Sequence, residues 1–152
     1  MSANMKAVVQ RFIEEVWNKG NLAVADELVA PSMTNHFSFT PELAGPEDAK
    51  RNITMLRTAF PDIHYEIEDL LAAERDTVVV RLRFRGTHTG PLLDLLPTGK
   101  TFEATGIDLF SVVDGQIVER WAGHDDFGLM LQLGVVSWPH ADEQPPESSE
   151  AL

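Results

Sequence analysis

The hydrophobic pattern of the first sixty residues is that of amphipathic helices. Apolar side chains stand at positions 8, 9, 12, 13, 16 and 17, which is the spacing of one helix face, and Gly20 follows as a natural stop. This pattern predicts a helix over residues 4–18 and a short second helix over residues 22–29. A third helix is predicted over residues 45–59, because Pro46 and the two acids that follow it suit a helical first turn.

After Pro61 the pattern changes from the period of a helix to that of β-strands. Apolar and polar residues alternate, which predicts four strands, over residues 63–71, 77–87, 101–112 and 116–124. Asp114-Gly115 suits the tight turn of a hairpin between the last two strands. A final apolar helix is predicted over residues 127–133, with Gly134 as its stop.

Two connecting segments and the C-terminus follow neither period. Residues 33–40 are predicted to form a short extended or irregular piece, and the link over residues 90–100, rich in Leu and Pro, is predicted to form a flap. Residues 137–152 are acidic and rich in Pro and Ser, which is typical of a disordered tail. Trp138 is the one residue there that we expect to dock back. A single domain is therefore predicted over residues 1–136.

Helices followed by consecutive strands predict an α+β fold. We expect a cone-shaped barrel, in which the N-terminal helices cover the open face of a strongly curved, mainly antiparallel sheet. Such a fold encloses a conical space, and the chain has eight Phe and three Trp residues that would suit its lining. A small apolar molecule is the expected occupant.

Composition argues against several other classes of function. The net charge of −12 disfavours a nucleic-acid partner, which needs clustered Lys and Arg. No window approaches the ~20 apolar residues of a membrane span, and no secretory signal is evident, so we expect a cytoplasmic protein. The chain has no cysteine, and Asp94 stands where a phosphate-binding loop ending at residues 98–101 would need glycine. We therefore expect neither a cofactor nor a metal.

An acidic pair at the junction of the last strand and the last helix is the main candidate for chemistry. If no bulge interrupts the strand, alternation places Asp125 on the same side as Trp121. A carboxylate in an apolar pocket has a raised pKa and can act as a base. The alternative is that Asp125 or Asp126 caps the helix, a role that Asp fills well. Spacing alone leaves both readings open, and one acid could cap while the other is free.

The strand before the hairpin carries a second candidate acid. By alternation, Asp108 shares a face with Phe102 and Gly106, and it is the one charged residue on that face. A second acid near the first would raise the pKa of either group through like-charge repulsion.

Three histidines are weighed in the same way. His36 follows Asn35 in a segment rich in Phe, which suits either a hydrogen-bonding group in a pocket or a satisfied core histidine. His88 stands at a strand end, where it could orient a substrate carbonyl or lie on the surface. His124 lies on the strand face opposite Asp125 and is expected to serve packing or an interface.

Several ordered motifs resemble those of one known family. They are Ile117-Val-Glu-Arg-Trp121, Asp125, Gly128-Leu-Met-Leu-Gln-Leu-Gly134, residues 12–21 and 59–62, and His88-Thr-Gly90 with residues 97–100. The set, which covers nearly all of residues 5–136, resembles the SnoaL-like polyketide cyclases of the nuclear transport factor 2-like superfamily, whose members are cone-shaped α+β barrels.

The resemblance implies an acid–base enzyme that closes a ring by intramolecular aldol condensation in a polyketide ester, without metal or cofactor. It implies that Asp125 is the catalytic acid/base. It also implies that Gly106 and Asp108 stand where such cyclases commonly carry glutamine and histidine, so this chain departs from the family pattern there.

These observations together predict a cyclase or isomerase acting on a small apolar carbonyl compound. Asp125 would remove an α-proton and return it to oxygen, and His36 and His88 would polarise carbonyl groups. The expected substrate-binding residues are Trp17, Phe37, Phe39, Phe102, Gly106, Asp108 and Trp121. The alternatives are a hydrolase or hydratase of the epoxide type on the same scaffold, and a non-catalytic domain that binds small molecules.

We also expect a homodimer, or a higher homo-oligomer, that forms through the outer face of the sheet. Strand alternation and the habits of this fold suggest that face, where four arginines could pair with acids: Arg81, Arg83, Arg85 and Arg120.

Overall fold

Five strands form one open, curved sheet in the computed structural model, which describes residues 2–140. The strands are β1 (Val29–Asn35), β2 (His64–Ala73), β3 (Thr77–Thr87), β4 (Thr101–Val113) and β5 (Gln116–His124). Their order in the sheet is β1-β5-β4-β3-β2, with β1 parallel to β5 and the other three pairings antiparallel. Because β1 and β2 do not pair with each other, the sheet stays unclosed.

The helices occupy the two ends of the described chain and the segment between β1 and β2. They are α1 (Ser2–Arg11), a π-helical continuation (Phe12–Asn18), α2 (Ala23–Leu28), α3 (Gly45–Ala59) and α4 (Asp126–Leu133). The first predicted helix is therefore one continuous element whose second half has the wider π-helical turn. That half buries Phe12, Ile13, Val16 and Trp17 in the core.

The core lies between the helices and one face of the sheet. Along β4 the buried residues strictly alternate with exposed ones, as expected for a sheet covered on one side. The predicted α+β class and the curved, mainly antiparallel sheet are confirmed.

The first strand differs from its prediction. The second helix was expected to reach Val29, but this residue begins β1 and is paired with Ile117 of β5. The tertiary pairing overrides the local helical pattern, and Pro31 is tolerated because β1 is an edge strand. Of the segment over residues 33–40, which was predicted as extended or irregular, the part through Asn35 belongs to this strand.

A bulge in β5 changes which residues face the core. Ser111 pairs with Glu119 while Val112 pairs with Ile117, so Val118 is an extra residue on β5. An extra residue reverses the alternation beyond it. Arg120 is consequently buried, with 9% exposed, while Trp121 is 40% exposed on the outer face. The predictions of Trp121 in the cavity and Arg120 on the outer face were both wrong for this reason.

The end of the described chain packs back on α4. The Trp138 ring lies edge-on against Phe127, with ring centroids 4.7 Å apart. Residues 141–152, which make up most of the predicted tail, lie outside the described residues. Within residues 2–140, no helix combines the length and the apolar character that crossing a membrane would require.

Candidate functional site

The space between the sheet and the helices is a mainly apolar cavity. Polar side chains from five helices and strands reach it, and they are Asn35, Asn52, Tyr65, Arg120, His124 and Asp126. Of the predicted substrate-binding residues, Trp17, Phe37, Phe39 and Phe102 line the cavity. The polar groups are thus concentrated in a pocket whose remaining walls are aromatic and aliphatic, which suits an apolar molecule with a few polar atoms.

The two acids at the strand–helix junction occupy different positions, and Asp125 does not have the cavity position expected for it. Asp125 is the N-cap of α4, where its Oδ1 accepts a hydrogen bond from the Gly128 backbone N–H at 2.9 Å. Asp125 is not among the cavity-lining residues, whereas Asp126, the first residue of α4, is one of them. The bulge at Val118 is the cause, because it turns the even-numbered residues at the end of β5 inward.

The environment of Asp126 differs from that of an ordinary surface aspartate. The side chain keeps contact with solvent at the cavity mouth, but partial burial raises the pKa of Asp126. The nearby positive charge of His124 opposes this rise, and the negative charge of Asp125 adds to it. A carboxylate with a raised pKa is a stronger base than an ordinary surface aspartate.

As the N-cap of α4, Asp125 is expected to stabilise the folded protein. Asp125→Ala removes the acceptor for the Gly128 N–H, and we expect the free energy of unfolding to fall by about 1 kcal/mol. Asp125→Asn keeps a capping oxygen, so the free energy of unfolding should fall by only a few tenths of the loss expected for Asp125→Ala. Urea denaturation of the two variants and the parent protein measures the difference. Equal losses in both variants would show that the cap is not what Asp125 contributes.

Asp108 lies beneath the cavity, in a buried ion cluster. Its Oδ2 accepts hydrogen bonds from Arg120 Nη2 at 2.8 Å and Nε at 3.1 Å, and its Oδ1 lies 2.6 Å from His124 Nε2. Burial by itself would raise the pKa of Asp108. The charge of Arg120 and the hydrogen bond from His124 outweigh burial, so the pKa lies below its usual value. Asp108 is therefore a buried anion paired with the Arg120 guanidinium and hydrogen-bonded to His124.

Arg120 connects this cluster to the cavity mouth. Its guanidinium lies 5.0 Å above the Trp17 ring, and its Nη1 is 3.4 Å from both the Asn35 side-chain oxygen and the Phe37 carbonyl oxygen. Asn35 in turn donates to the buried Asp48 at 3.0 Å. One polar network thus runs from the floor of the cavity to the loop that carries Phe37.

Asp48 anchors that loop. It accepts hydrogen bonds from Thr40 at 3.2 Å and Asn52 at 2.9 Å, and also from Ser38. Asn52 also accepts a hydrogen bond from the Phe39 backbone N–H at 2.9 Å. These contacts hold the loop over α3 and place the Phe39 ring at the mouth of the cavity.

Gly106 contributes to the site because it has no side chain. The His124 ring lies directly over Gly106, and a Cβ at this position would overlap the ring atoms Cδ2 and Cγ. Gly106 therefore does not line the cavity; it provides the space in which His124 lies. The sequence-based expectation that His124 serves only packing or an interface missed this position in the cavity wall.

The remaining predicted site residues lie elsewhere. His36 is on the outer face, where its ring stacks on Trp121 at 4.8 Å and its Nε2 is 3.3 Å from Glu119. His88 is fully buried against Phe60 and does not line the cavity. The Thr98 backbone N–H donates to its Nδ1 at 3.2 Å. None of the predicted flap lines the cavity; its Gly99 N–H donates to the His88 carbonyl oxygen at 2.8 Å. Among residues 2–140, no cluster of three or more His, Asp or Glu side chains has the geometry of a metal site.

One signal in the sequence could have found the missed residues. An acid on an apolar strand face needs cationic partners, and side chains on neighbouring strands meet diagonally as well as directly. Asp108 pairs directly with Ala122, so its diagonal neighbours are Arg120 and His124. Pairing the hairpin from Asp114-Gly115 with one bulge would have brought these three residues together.

An open, curved sheet with titratable groups in an apolar cavity is typical of a class of α+β proteins that bind or convert small molecules. Within that class, the model of the SnoaL-like polyketide cyclase family matches residues 7–133, and the chain belongs to this family. The resemblance inferred from the motifs is thereby confirmed.

Two similar proteins from Streptomyces are both described as aklanonic acid methyl ester cyclases. The chain is 31% identical over 143 residues to the aklanonic acid methyl ester cyclase AcmA of Streptomyces galilaeus, a match covering 92% of this chain and 96% of that protein. It is 30% identical over 135 residues to the aklanonic acid methyl ester cyclase DnrD of Streptomyces peucetius, over 87% of this chain and 91% of DnrD.

Solved structures agree with the fold. TsrD from Streptomyces laurentii superimposes with a TM-score of 0.78 at 26% identity, over 88% of this chain and 97% of TsrD. A candidate polyketide cyclase from Bacillus cereus ATCC 10987 superimposes with a TM-score of 0.74 at 33% identity, over 88% of this chain and 83% of that protein.

Proposed function

We propose that this protein is a cyclase that closes a ring in a polyketide ester by intramolecular aldol condensation, without metal or cofactor. The observation that carries the proposal is Asp126, a carboxylate of raised pKa in the wall of an apolar cavity. The relatives that share about 30% identity over most of the chain are cyclases of a polyketide methyl ester. The same class of substrate is the natural candidate here.

In the proposed reaction Asp126 removes the acidic α-proton of the substrate. Positioned acid–base groups contribute roughly 10²–10⁴-fold to a rate, and holding the two reacting carbons together contributes further. The family resemblance implied Asp125 for this step. The structural positions favour Asp126, because Asp125 is engaged with the backbone of α4.

Substrate binding requires the mouth of the cavity to widen. The cavity volume is about 70 Å³, whereas pockets for organic ligands typically measure roughly 300–1,000 Å³. Phe39, which is 43% exposed, and Phe37 beside it are the lining residues best placed to move. We expect their rings to swing outward when a polycyclic substrate enters.

The test is incubation of the purified protein with aklanonic acid methyl ester in the presence of a chelator, followed by liquid chromatography and mass spectrometry. An aldol cyclisation is an isomerisation, so the expected product has an unchanged mass and a new retention time. A gain of one water, with labelled oxygen from the solvent, would replace the proposal with the hydratase alternative. Binding of the ester without any conversion would replace it with the binding-domain alternative.

We also propose a homodimer formed through the outer face of the sheet. Ile107, Leu109 and Trp121 form an exposed apolar strip on neighbouring strands of that face, and such strips are commonly covered by a partner. Arg81 and Arg83 beside it already pair with acids of their own chain, so the apolar residues are the better candidates for the contact.

The dimer predicts a mass in solution of about twice the chain mass of 16.9 kDa. Light scattering coupled to gel filtration measures that mass, and Ile107→Asp should reduce it to that of a monomer. A monomeric mass for the unmodified protein at working concentration would refute the dimer.

A further inference from the structure

We infer that His124 is the proton donor to the oxygen that becomes negatively charged during ring closure, and that Asp108 positions it. This inference rests on the proposed cyclase function and adds a second catalytic residue beside Asp126. It concerns the position at which this chain departs from the pattern of its family, because Gly106 and Asp108 replace the glutamine and histidine expected on β4.

The orientation of the imidazole follows from its contacts. The Cδ2 edge of the ring lies over Gly106, and Nε2 lies 2.6 Å from Asp108 Oδ1. Nδ1 and Cε1 are on the opposite side of the five-membered ring from Cδ2. That edge therefore points away from β4, and His124 is among the residues that line the cavity.

The hydrogen bond with Asp108 also determines which nitrogen can serve the substrate. A carboxylate can only accept, so the hydrogen bond requires a proton on Nε2. Any second proton on the ring must then be on Nδ1. Within residues 2–140, His124 Nδ1 has no hydrogen-bond partner. It is also not fully buried, in contrast to His88 Nε2, which is buried and has no partner there. Nδ1 is therefore available to a molecule in the cavity.

The arrangement resembles the division of work in other acid–base sites, where a carboxylate orients an imidazole for proton transfer. Asp108 is well suited to that role because its ion pair with Arg120 lowers the pKa of the carboxyl group and keeps it ionised. Asp126 lies near enough to His124 for the two charges to interact. Both residues line the cavity, so a base and a proton donor are available to the same bound molecule.

The reaction balances with these two groups alone. Asp126 takes the α-proton, and the electron pair of that C–H bond forms the enolate. The nucleophilic carbon then bonds to the ketone carbon, the C=O π electrons move to oxygen, and that oxygen takes the proton from His124 Nδ1. The Asp126 proton returns to Nδ1 afterwards, so the substrate is isomerised and both residues are restored.

The simpler alternative is that His124 only neutralises Asp108. The role of proton donor and the role of neutralising Asp108 predict different losses when the imidazole is removed. A proton donor is needed for ring closure but not for removal of the α-proton. A structural residue would affect both steps equally, since its loss would disturb the whole site.

The deciding experiment compares His124→Gln with the parent enzyme on the polyketide ester of the cyclase assay. In deuterium oxide, the variant should still exchange the α-hydrogen of the ester, at a rate within a few-fold of the parent, while ring closure falls by about 10²–10⁴-fold. Equal loss of both reactions, or undiminished closure, would overturn the inference. Should the parent show neither reaction, it is the proposed function that fails.

A second measurement needs no substrate turnover and keeps the histidine in place. Nitrogen NMR of protein labelled at histidine should show Nε2 protonated throughout the pH range in which Nδ1 titrates. A neutral form with its proton on Nδ1 would overturn the inference, whatever the enzyme acts on. Gly106→Ala should displace the ring, abolish this signature and reduce ring closure even if His124→Gln does not fold.

Discussion

Replacement of Asp126 by asparagine is expected to lower kcat by about 10²–10⁴-fold. Asparagine has nearly the same shape, so the substrate should still bind, but its amide cannot accept the α-proton. The effect should appear in kcat rather than in KM, because the carboxylate accepts the proton only in the transition state and is not needed to bind the substrate. Steady-state kinetics on the polyketide ester, with product quantified by chromatography, measures both constants.

The matched control is Asp125→Asn, one residue earlier in the chain. Asparagine caps helices as well as aspartate does, and Asp125 does not line the cavity, so this variant should keep kcat within a few-fold of the parent. The comparison decides between the two acids of the junction. A large loss in Asp125→Asn with normal turnover in Asp126→Asn would restore the assignment implied by the family resemblance.

The stability of Asp126→Asn should confirm that the loss is chemical. The pKa of Asp126 is raised in the folded protein, so its ionisation costs stability at pH values above the folded-state pKa, and this cost disappears as the pH falls below it. Removing the carboxylate should therefore leave the free energy of unfolding at neutral pH unchanged or slightly higher. A marked decrease would point to a structural role for Asp126.

Asp108→Asn should be among the most destabilising single substitutions in this protein. The change keeps the volume of the side chain but removes the anion from a site where the residue is fully buried. It leaves the guanidinium of Arg120 without its counter-charge and weakens the hydrogen bond of the His124 ring. Removing one partner of a buried ion pair typically costs about 3–5 kcal/mol, and urea or thermal unfolding measures this loss.

Asp69→Asn provides the control for a surface pair. Asp69 accepts a hydrogen bond from Arg81 at 2.6 Å, but both side chains are about half exposed. Exposed pairs contribute about 0–1 kcal/mol, so this variant should unfold almost as the parent does. Equal losses from the two substitutions would show that the Asp108 cluster is no more than a surface-type ion pair.

The pH dependence of the Asp108 effect follows from its lowered pKa. A carboxyl whose pKa is depressed by folding stabilises the protein at pH values above the unfolded-state pKa of about 3.9, and this contribution is lost as the pH falls through the folded-state pKa. The difference between Asp108→Asn and the parent should therefore be full at neutral pH and shrink in strongly acidic solution. A constant difference down to acidic pH would contradict the ion-pair explanation.

The elements with long, regular patterns could be predicted from the sequence. The bounds of β3 and β5 equal the ranges predicted for them, and α3 begins where Pro46 indicates. The parallel pairing of β1 with β5 could not be predicted, because it depends on a partner nearly ninety residues away in the chain, as in the pair Val29 and Ile117. Local pattern favoured helix at Val29, and tertiary pairing prevailed.

The positions of the junction residues were misassigned by one residue. The sequence directed attention to the junction of β5 and α4, but Val118 inserts a bulge that a purely alternating pattern does not reveal. That single residue exchanges the faces of Arg120 and Trp121, and Asp126 rather than Asp125 lines the cavity. His36 was misplaced along with Trp121, since the two rings stack on the outer face.

The most direct test of the central claim is α-hydrogen exchange of the polyketide ester in deuterium oxide, measured by NMR with three proteins. The parent and Asp125→Asn should catalyse deuterium uptake at the α-carbon, whereas Asp126→Asn should not exceed the rate without enzyme. Uptake that survives in Asp126→Asn, or that is lost in Asp125→Asn alone, would contradict the assignment of Asp126 as the base.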